Sequence, residues 1–336
     1  MFFVGIDLHK KTITVCVVNQ QRCVVQRKTF HCCQPDKIRE FFSQLGAFQA
    51  VVEATASYEW LWQLLEPLAE RLVLAHPQKM RIIAETTRKT DKIDAEVLAT
   101  FLALNMIPQA YRPSPRQRQH RTLVRQRCRV QGRITSVKNK LRHILSDYNA
   151  DRKDLFTAEG LAYLTKLCVS AADRYVVDQL QGEYEFLKGQ LRALDKQLRT
   201  FARQAPTPEA EAREVLASMP MVGDVTVNVV VSELGDIQRF RSAKCVAAYA
   251  GLAPGRRESA GRSREMPISK TGSRLLRWVL VQTAWRMVQK SRRWQCVYEG
   301  LCKRRGKKKA IIAVARRLLG VMAALLRSGQ RYRLAS

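Results

Sequence analysis

Asp7 closes the apolar run Phe2-Phe3-Val4-Gly5-Ile6, and Glu53 closes another, Ala50-Val51-Val52. Short β-branched runs bounded by polar residues predict buried strands. An acid at the tip of such a strand is costly to bury unless something pairs with it. Asp91 and Asp94 stand three apart at the start of the helical stretch Asp91-Lys92-Ile93-Asp94-Ala95-Glu96-Val97-Leu98, on one face. Hard oxygen ligands grouped in this way suit Mg²⁺, which takes one or two carboxylates per ion together with phosphate oxygens. Two such ions, about 3.5–4 Å apart, would clamp the attacking and leaving oxygens of a phosphoryl displacement. Each acid also has an ordinary explanation, because acids at helix starts complement the helix dipole. The strand-end pair followed by the helical pair carries more weight than any one of them.

A second candidate for chemistry lies in Gly255-Arg256-Arg257-Glu258-Ser259-Ala260-Gly261-Arg262-Ser263-Arg264. This stretch reads as a flexible loop in which four arginines, Arg256, Arg257, Arg262 and Arg264, surround Ser259. Guanidinium forks match phosphate oxygens, and a hydroxyl among them suits attack on phosphorus. A serine in such a segment is more often a turn residue, and Ser263 offers a second hydroxyl four residues on. Lys270-Thr271-Gly272-Ser273-Arg274 then opens a helix, and Lys303-Arg304-Arg305-Gly306-Lys307-Lys308-Lys309 forms a basic cluster suited to phosphates without base readout.

The elements that must position these groups fall into three segments. Strands are predicted near 2–8, 12–18, 23–30, 49–54 and 71–75, with helices at 36–45, 58–69 and 91–104. That order implies a mixed sheet covered by helices, with ligands at strand ends. Tyr111-Arg112-Pro113-Ser114-Pro115 is a prolyl break that closes this α/β segment, residues 1–112. Residues 113–205 are predicted helical and coiled-coil-like. Val130, Ile134, Val137, Leu141 and Ile144 make one stripe, and Leu180, Tyr184, Leu187, Leu191, Leu194, Leu198 and Phe201 another, in steps of three and four. The stripes fit an antiparallel hairpin or a seam between chains; their narrowness favours the seam. Residues 206–336 are expected to be mainly helical, opening with a helix, the turn Pro220-Met221-Val222-Gly223 and a second helix. A turn of that kind can offer backbone amides to a phosphate.

Charge divides the chain in the same way. The net charge is +30, yet residues 1–110 carry 13 Lys/Arg against 11 Asp/Glu, whereas residues 111–336 carry 46 against 18. A near-neutral acid-bearing part followed by a basic remainder suits a nucleic-acid enzyme. Residues 112–142 hold eleven Lys/Arg and no acid, so Arg125, Arg129 and Arg133 are expected to face a polyanion. No run approaches the roughly 18–20 apolar residues of a membrane span, which argues against a membrane-surface protein. The nine cysteines form no CxxC pair and are expected as reduced, mostly buried thiols in a cytoplasmic protein. His31, His76, His120 and His143 lack zinc-ligand spacing.

Taken in order, Gly5-Ile6-Asp7, Val52-Glu53-Ala54-Thr55, Thr90-Asp91-Lys92-Ile93-Asp94-Ala95, Ala248-Tyr249-Ala250-Gly251-Leu252-Ala253-Pro254, Glu258-Ser259 and Ser269-Lys270-Thr271-Gly272 resemble the motifs of the DEDD-serine transposases of bacterial insertion sequences, the "IS-one-ten" family. The resemblance spans nearly the whole chain. It implies a RuvC- and RNase H-like first domain, a coiled coil and a serine-bearing transposase domain. It implies Mg²⁺ on Asp7, Glu53, Asp91 and Asp94, with Ser259 as nucleophile. It also implies an active site shared between protomers, and a structured guide RNA that pairs with donor and target DNA. Arg256, Arg257, Arg262, Arg264, Lys270 and Arg274 would then contact nucleic acid. Where many relatives carry Pro-Gly-(Ile/Val)-Gly, this chain has Met221 in the second place. Two other readings stand beside this one: a metal-dependent nuclease in which water attacks, and a non-catalytic nucleic-acid scaffold.

Overall fold

Strands at the N-terminus form from runs rich in β-branched residues, of which 4–8, 13–18 and 50–52 are buried on both faces, whereas 24–31 is mostly exposed. In the computed structural model β1 (Phe2–Leu8), β2 (Thr12–Val18) and β3 (Val24–His31) are followed by α1 (Pro35–Ser43), β4 (Phe48–Glu53), α2 (Glu59–Leu65), β5 (Arg71–Ala75), α3 (Pro77–Ile83) and α4 (Asp91–Ala103). The structure describes residues 1–55, 57–83, 91–259 and 262–333; for 83, 91–93, 256–259 and 262–265 it describes the backbone alone. The five strands lie in the order β3-β2-β1-β4-β5, with β1 antiparallel to β2 and parallel to β4. The expected mixed sheet is therefore present, and its strand bounds fall within a residue of those predicted.

The two faces of the sheet have different coverings. Val4, Ile6, Leu8, Ile13, Val15, Val17, Ala50 and Val52 pack with Ile38 and Phe42 of α1 and Leu61 and Leu65 of α2. On the other face Val51 and Val73 meet Leu98 and Leu102 of α4, while Cys16 and Val18 meet Ala95 and Ala99. Successive strand residues alternate between faces, so each strand contributes to both layers.

The chain divides into two compact units, Met1–Arg112 and Pro113–Ser336. The second begins where Ser114 caps α5 (Pro115–Asp147), accepting a hydrogen bond from Gln117 N, with Pro115 in the first turn, where its missing N–H costs nothing. It continues with α6 (Ala158–Lys166), α7 (Ala171–Arg203), α8 (Thr207–Ala217), α9 (Asp224–Leu234) and α10 (Ala243–Tyr249). A two-stranded ribbon follows, β6 (Pro254–Ser259) and β7 (Arg262–Ile268), then α11 (Arg274–Lys290), α12 (Arg292–Arg305) and α13 (Lys307–Ser328).

The apolar stripes of α5 and α7 face each other within one chain. Val130, Ile134, Val137, Leu141 and Leu145 form a core with Val177, Leu180, Tyr184 and Leu187. The ion pairs Arg127–Asp195 and Arg133–Glu183 run in opposite directions along the two helices, so the pair is antiparallel. Leu198 belongs to a second core with Val124, Val230, Leu280 and Leu318. The thiols differ from expectation. All nine are unbridged, but only Cys16 is buried, and Cys23, Cys33, Cys168, Cys245 and Cys296 are exposed. Among the described residues no helix is long and apolar enough to cross a membrane.

Candidate functional site

Within the first unit, the register of the sheet decides which acids can meet. β1 and β4 pair as Gly5↔Val51 and Ile6↔Val52, so the next step sets Asp7 beside Glu53 on adjacent parallel strands. Strand neighbours lie about 4.8 Å apart. Gly5 and Val51, two residues earlier, face α4, and period-two alternation puts Asp7 and Glu53 on that same side. A Cβ on Gly5 would come within 1.9 Å of the Ala95 carbonyl oxygen, so the glycine exists to let α4 lie on the strand. Ala103 packs near Phe3 and Val18, and Ala95 beside Gly5, so α4 runs antiparallel to β1. Its first turn, which begins at Asp91, therefore points to the end of β1 that carries Asp7.

Asp7 is 8 % exposed, and its Oδ2 lies 3.1 Å from His9 Nε2. His9 escaped the sequence reading; a histidine two residues beyond a strand-end acid, across the β1–β2 turn, was the available signal. Glu53 and Asp94 are half-buried, while the side chain of Asp91 lies outside the described residues. Thr55 Oγ1 and His76 Nδ1, just beyond the carboxyl ends of β4 and β5, are buried without a hydrogen-bond partner in the described structure. Among the described residues no three His, Cys, Asp or Glu side chains close around a point that could hold a metal ion. The donor chemistry of Asp7, Glu53 and Asp94 fits a hard divalent cation; these side chains alone do not enclose one.

In the second unit, the expected arginine-rich loop is a β-ribbon instead. Its strands pair in the order Arg256↔Glu265, Arg257↔Arg264, Glu258↔Ser263 and Ser259↔Arg262, so ladder hydrogen bonds replace loop freedom. Ser259 thus shares its register row with Arg257, Arg262 and Arg264. Ser263 occupies the alternate row with Glu258, Arg256 and Glu265. The side chains of Arg256, Arg257, Ser259, Arg262 and Arg264 lie outside the described residues.

The segments flanking the ribbon interlock. A Cβ on Gly251 would meet the Thr271 carbonyl oxygen at 2.0 Å, and one on Gly272 would meet that of Tyr249 at 2.0 Å. Both glycines have positive φ, +69° and +82°, where other residues are strained. Arg277 Nη1 donates to the carbonyls of Ala250, Thr271 and Gly272, which locks the two segments together. Lys270 and Arg274 are exposed on this assembly, and Ser273 caps α11 by accepting from Leu276 N.

The α5 arginines are not unopposed, because acids from other helices reach them. Arg125 makes a bidentate pair with Glu233 of α9, at 3.0 and 3.1 Å, and Arg133 pairs with Glu183 of α7. Arg121 donates to the last carbonyls of α9, Ser232 and Glu233. Arg129 is exposed and enters no ion pair among the described residues. His120 is 2 % exposed; its Nε2 lies 2.9 Å from Asn228 Oδ1 and 3.2 Å from Arg213 Nη2, and its ring stacks on Phe201. Burial holds its pKa down to about 4, with Arg213 adding to the effect against the Asn228 hydrogen bond.

α8, the Pro220–Gly223 turn and α9 form the expected helix–turn–helix. Met221 sits in it with φ +63°, a conformation that favours glycine, so the turn keeps its shape at some cost in strain. Beside the start of α9 lies a cleft of about 430 Å³ whose lining includes Arg127, Arg199, Arg203, Asp195 and Asp224. A smaller cavity of about 160 Å³ between α12 and α13 is lined by Arg304, Arg305, Arg316 and Arg317.

Two family models match in chain order. Residues 4–150 match the transposase family described as DEDD_Tnp_IS110, and residues 213–299 match the transposase IS116/IS110/IS902 family. The chain is 25% identical to a probable family 20 transposase of Pseudomonas aeruginosa over 98% of each chain. It is 22% identical to the transposase for insertion sequence element IS1111A of Coxiella burnetii, covering 98% of this chain and 90% of that one. It is 24% identical to the pilin gene-inverting protein of Moraxella bovis, covering 98% and 97%. The first model covers the strand-end acids and α4, the second the ribbon with Ser259 and the interlocked glycines, and together they place the chain in the IS110/IS116/IS902 family of insertion-sequence transposases.

Proposed function

We propose that this transposase cuts and rejoins DNA by phosphoryl transfer through Ser259, assisted by Mg²⁺ on Asp7, Glu53, Asp91 and Asp94. The observation that carries the reading is the register that sets Asp7 beside Glu53, with α4 beginning over the same strand ends. A bound cation there would stabilise charge developing on the phosphate. Ser259 Oγ attacks phosphorus, a P–O bond forms, and the deoxyribose hydroxyl of the broken strand leaves carrying a proton. A hydroxyl of the joining strand then displaces Ser259, so the number of phosphodiester bonds is conserved. The shared register row of Ser259, Arg257, Arg262 and Arg264 supports this serine over Ser263, since arginine forks neutralise a phosphate under attack. Relatives named for gene inversion favour rejoining over simple hydrolysis. The RuvC- and RNase H-like fold of the first unit, a site shared between protomers and a guide RNA belong to the same proposal.

The test is a suicide DNA substrate incubated with the full chain and Mg²⁺. A protein–DNA adduct that survives denaturant and maps to Ser259 is the expected product. Ser259→Ala should abolish adduct and recombination, and Asp94→Asn should lower cleavage by about a hundredfold or more, with DNA binding retained in both. Cleavage at the normal rate in Ser259→Ala would mean that water attacks. Full recombination by Asp94→Asn would remove the carboxylates from the chemistry.

A further inference from the structure

The helix α11 turns one face to the core and leaves two tryptophans on the other. Leu276, Val279, Leu280, Thr283, Ala284, Met287 and Val288 are buried. Arg274, Trp278, Gln282, Trp285, Arg286 and Gln289 form the exposed stripe, with Trp278 49% and Trp285 37% exposed. A tryptophan ring offers 150–250 Å² for burial, so two on one solvent-facing stripe mark a surface that something else covers. The Trp285 ring is held by Tyr298 of α12, with centroids 5.4 Å apart and planes at 62°.

Charge decides what covers it. Residues 266–336 carry 18 Lys/Arg and a single acid, Glu299, which already accepts a hydrogen bond from Gln295. A second copy docked by the same face would bring like charge against like, because a two-fold contact sets a patch against itself. A polyanion with flat apolar groups satisfies both features at once.

We propose that the α11 stripe Arg274, Trp278, Trp285 and Arg286 is a stacking site for unpaired bases of a nucleic-acid strand. The proposal rests on the nucleic-acid reading above. Paired bases hide their faces inside the duplex, whereas a single strand offers them to aromatic rings while Arg274 and Arg286 meet its phosphates. Seven helical residues separate the rings by about 10.5 Å along the axis, several times the 3.4 Å of stacked neighbours, so the bases held here are splayed apart. Strand transfer requires DNA to be opened locally, and this stripe holds the opened segment.

The experiment titrates the full chain with oligodeoxythymidine, with oligouridine and with a DNA duplex of matched length, following tryptophan fluorescence and anisotropy. Single strands are expected to quench fluorescence. Trp278→Ala and Trp285→Ala each weaken single-strand affinity by about tenfold or more, Phe at either position restores most of it, and duplex affinity is unchanged. Tighter binding of oligodeoxythymidine than of oligouridine is expected of a stripe that holds opened DNA, and the reverse order overturns that assignment. Normal duplex binding with single-strand affinity indifferent to both Ala variants overturns this inference and leaves the transposase reading intact. Loss of oligomer mass in those variants, with single-strand affinity unchanged, overturns it in favour of a contact between chains. Failure of the wild-type chain to bind any of the three ligands overturns the nucleic-acid reading itself.

Discussion

His120 shows how one buried side chain ties stability to pH. Its folded pKa, about 4, lies below the ordinary histidine value of 6.5, chiefly because burial disfavours the imidazolium. Between pH 6.5 and 4 the unfolded chain therefore holds a proton at this residue that the folded chain does not. Stability contributed by neutral His120 is complete above pH 6.5 and is lost as pH falls towards 4, to a total of about 3 kcal/mol. His120→Gln keeps a polar partner for Asn228 and removes the titration. The difference in urea-unfolding free energy between wild type and variant is expected to shrink as pH drops from 7 to 4.5. A constant difference would show that His120 does not carry this dependence. Asp7 and Glu53 illustrate the opposite side of the residue scale, since their place at apolar run ends is visible in sequence while their adjacency depends on strand order.

At the scale of elements, the α5–α7 pair corrects the expectation of a seam between chains. The heptad rhythm predicts a narrow apolar stripe, and the stripe is filled by a helix of the same chain. Leu187 is fully buried in that core with Ile134 and Leu141. Leu187→Ala should destabilise the chain by about 2–5 kcal/mol, through lost transfer energy and the cavity left behind. Because the packing is internal, the loss should not vary with protein concentration; a midpoint shift that grows on dilution would restore the interchain seam. The β6–β7 ribbon is the second correction. Its Gly, Ser and Arg content reads as a loop, and only the ladder of Arg257↔Arg264 and Ser259↔Arg262 reveals strands.

For the whole molecule, the excess of positive charge after residue 110 is the dominant field. Many of these charges are tied to acids of other helices, as Arg125 is to Glu233, and so contribute to packing as well as to the surface. Arg316 and Arg317 enter no ion pair among the described residues and line the cavity between α12 and α13. DNA affinity is expected to fall by about 10³–10⁵ between 50 and 200 mM salt if six to ten phosphates are neutralised. Arg316→Ala should reduce the slope of log affinity against log salt by about one. An unchanged slope would exclude that cavity from the phosphate contacts.

What the sequence by itself determined was local. Apolar periodicity set the five strands and three of the four helices in residues 1–112, leaving α3 unforeseen, since burial of β-branched runs and amphipathic stripes is written in spacing of two and of three to four. The ordered motifs likewise announced the family. Tertiary structure alone decided which distant residues meet. The antiparallel run of α4 over Gly5 brings the start of that helix to Asp7, acids of α7 and α9 answer the basic run of α5, and Gly251 and Gly272 lock together across a gap of twenty residues. Composition within a window cannot report such pairings, because charge compensation and close backbone approach depend on chain segments that only folding brings together.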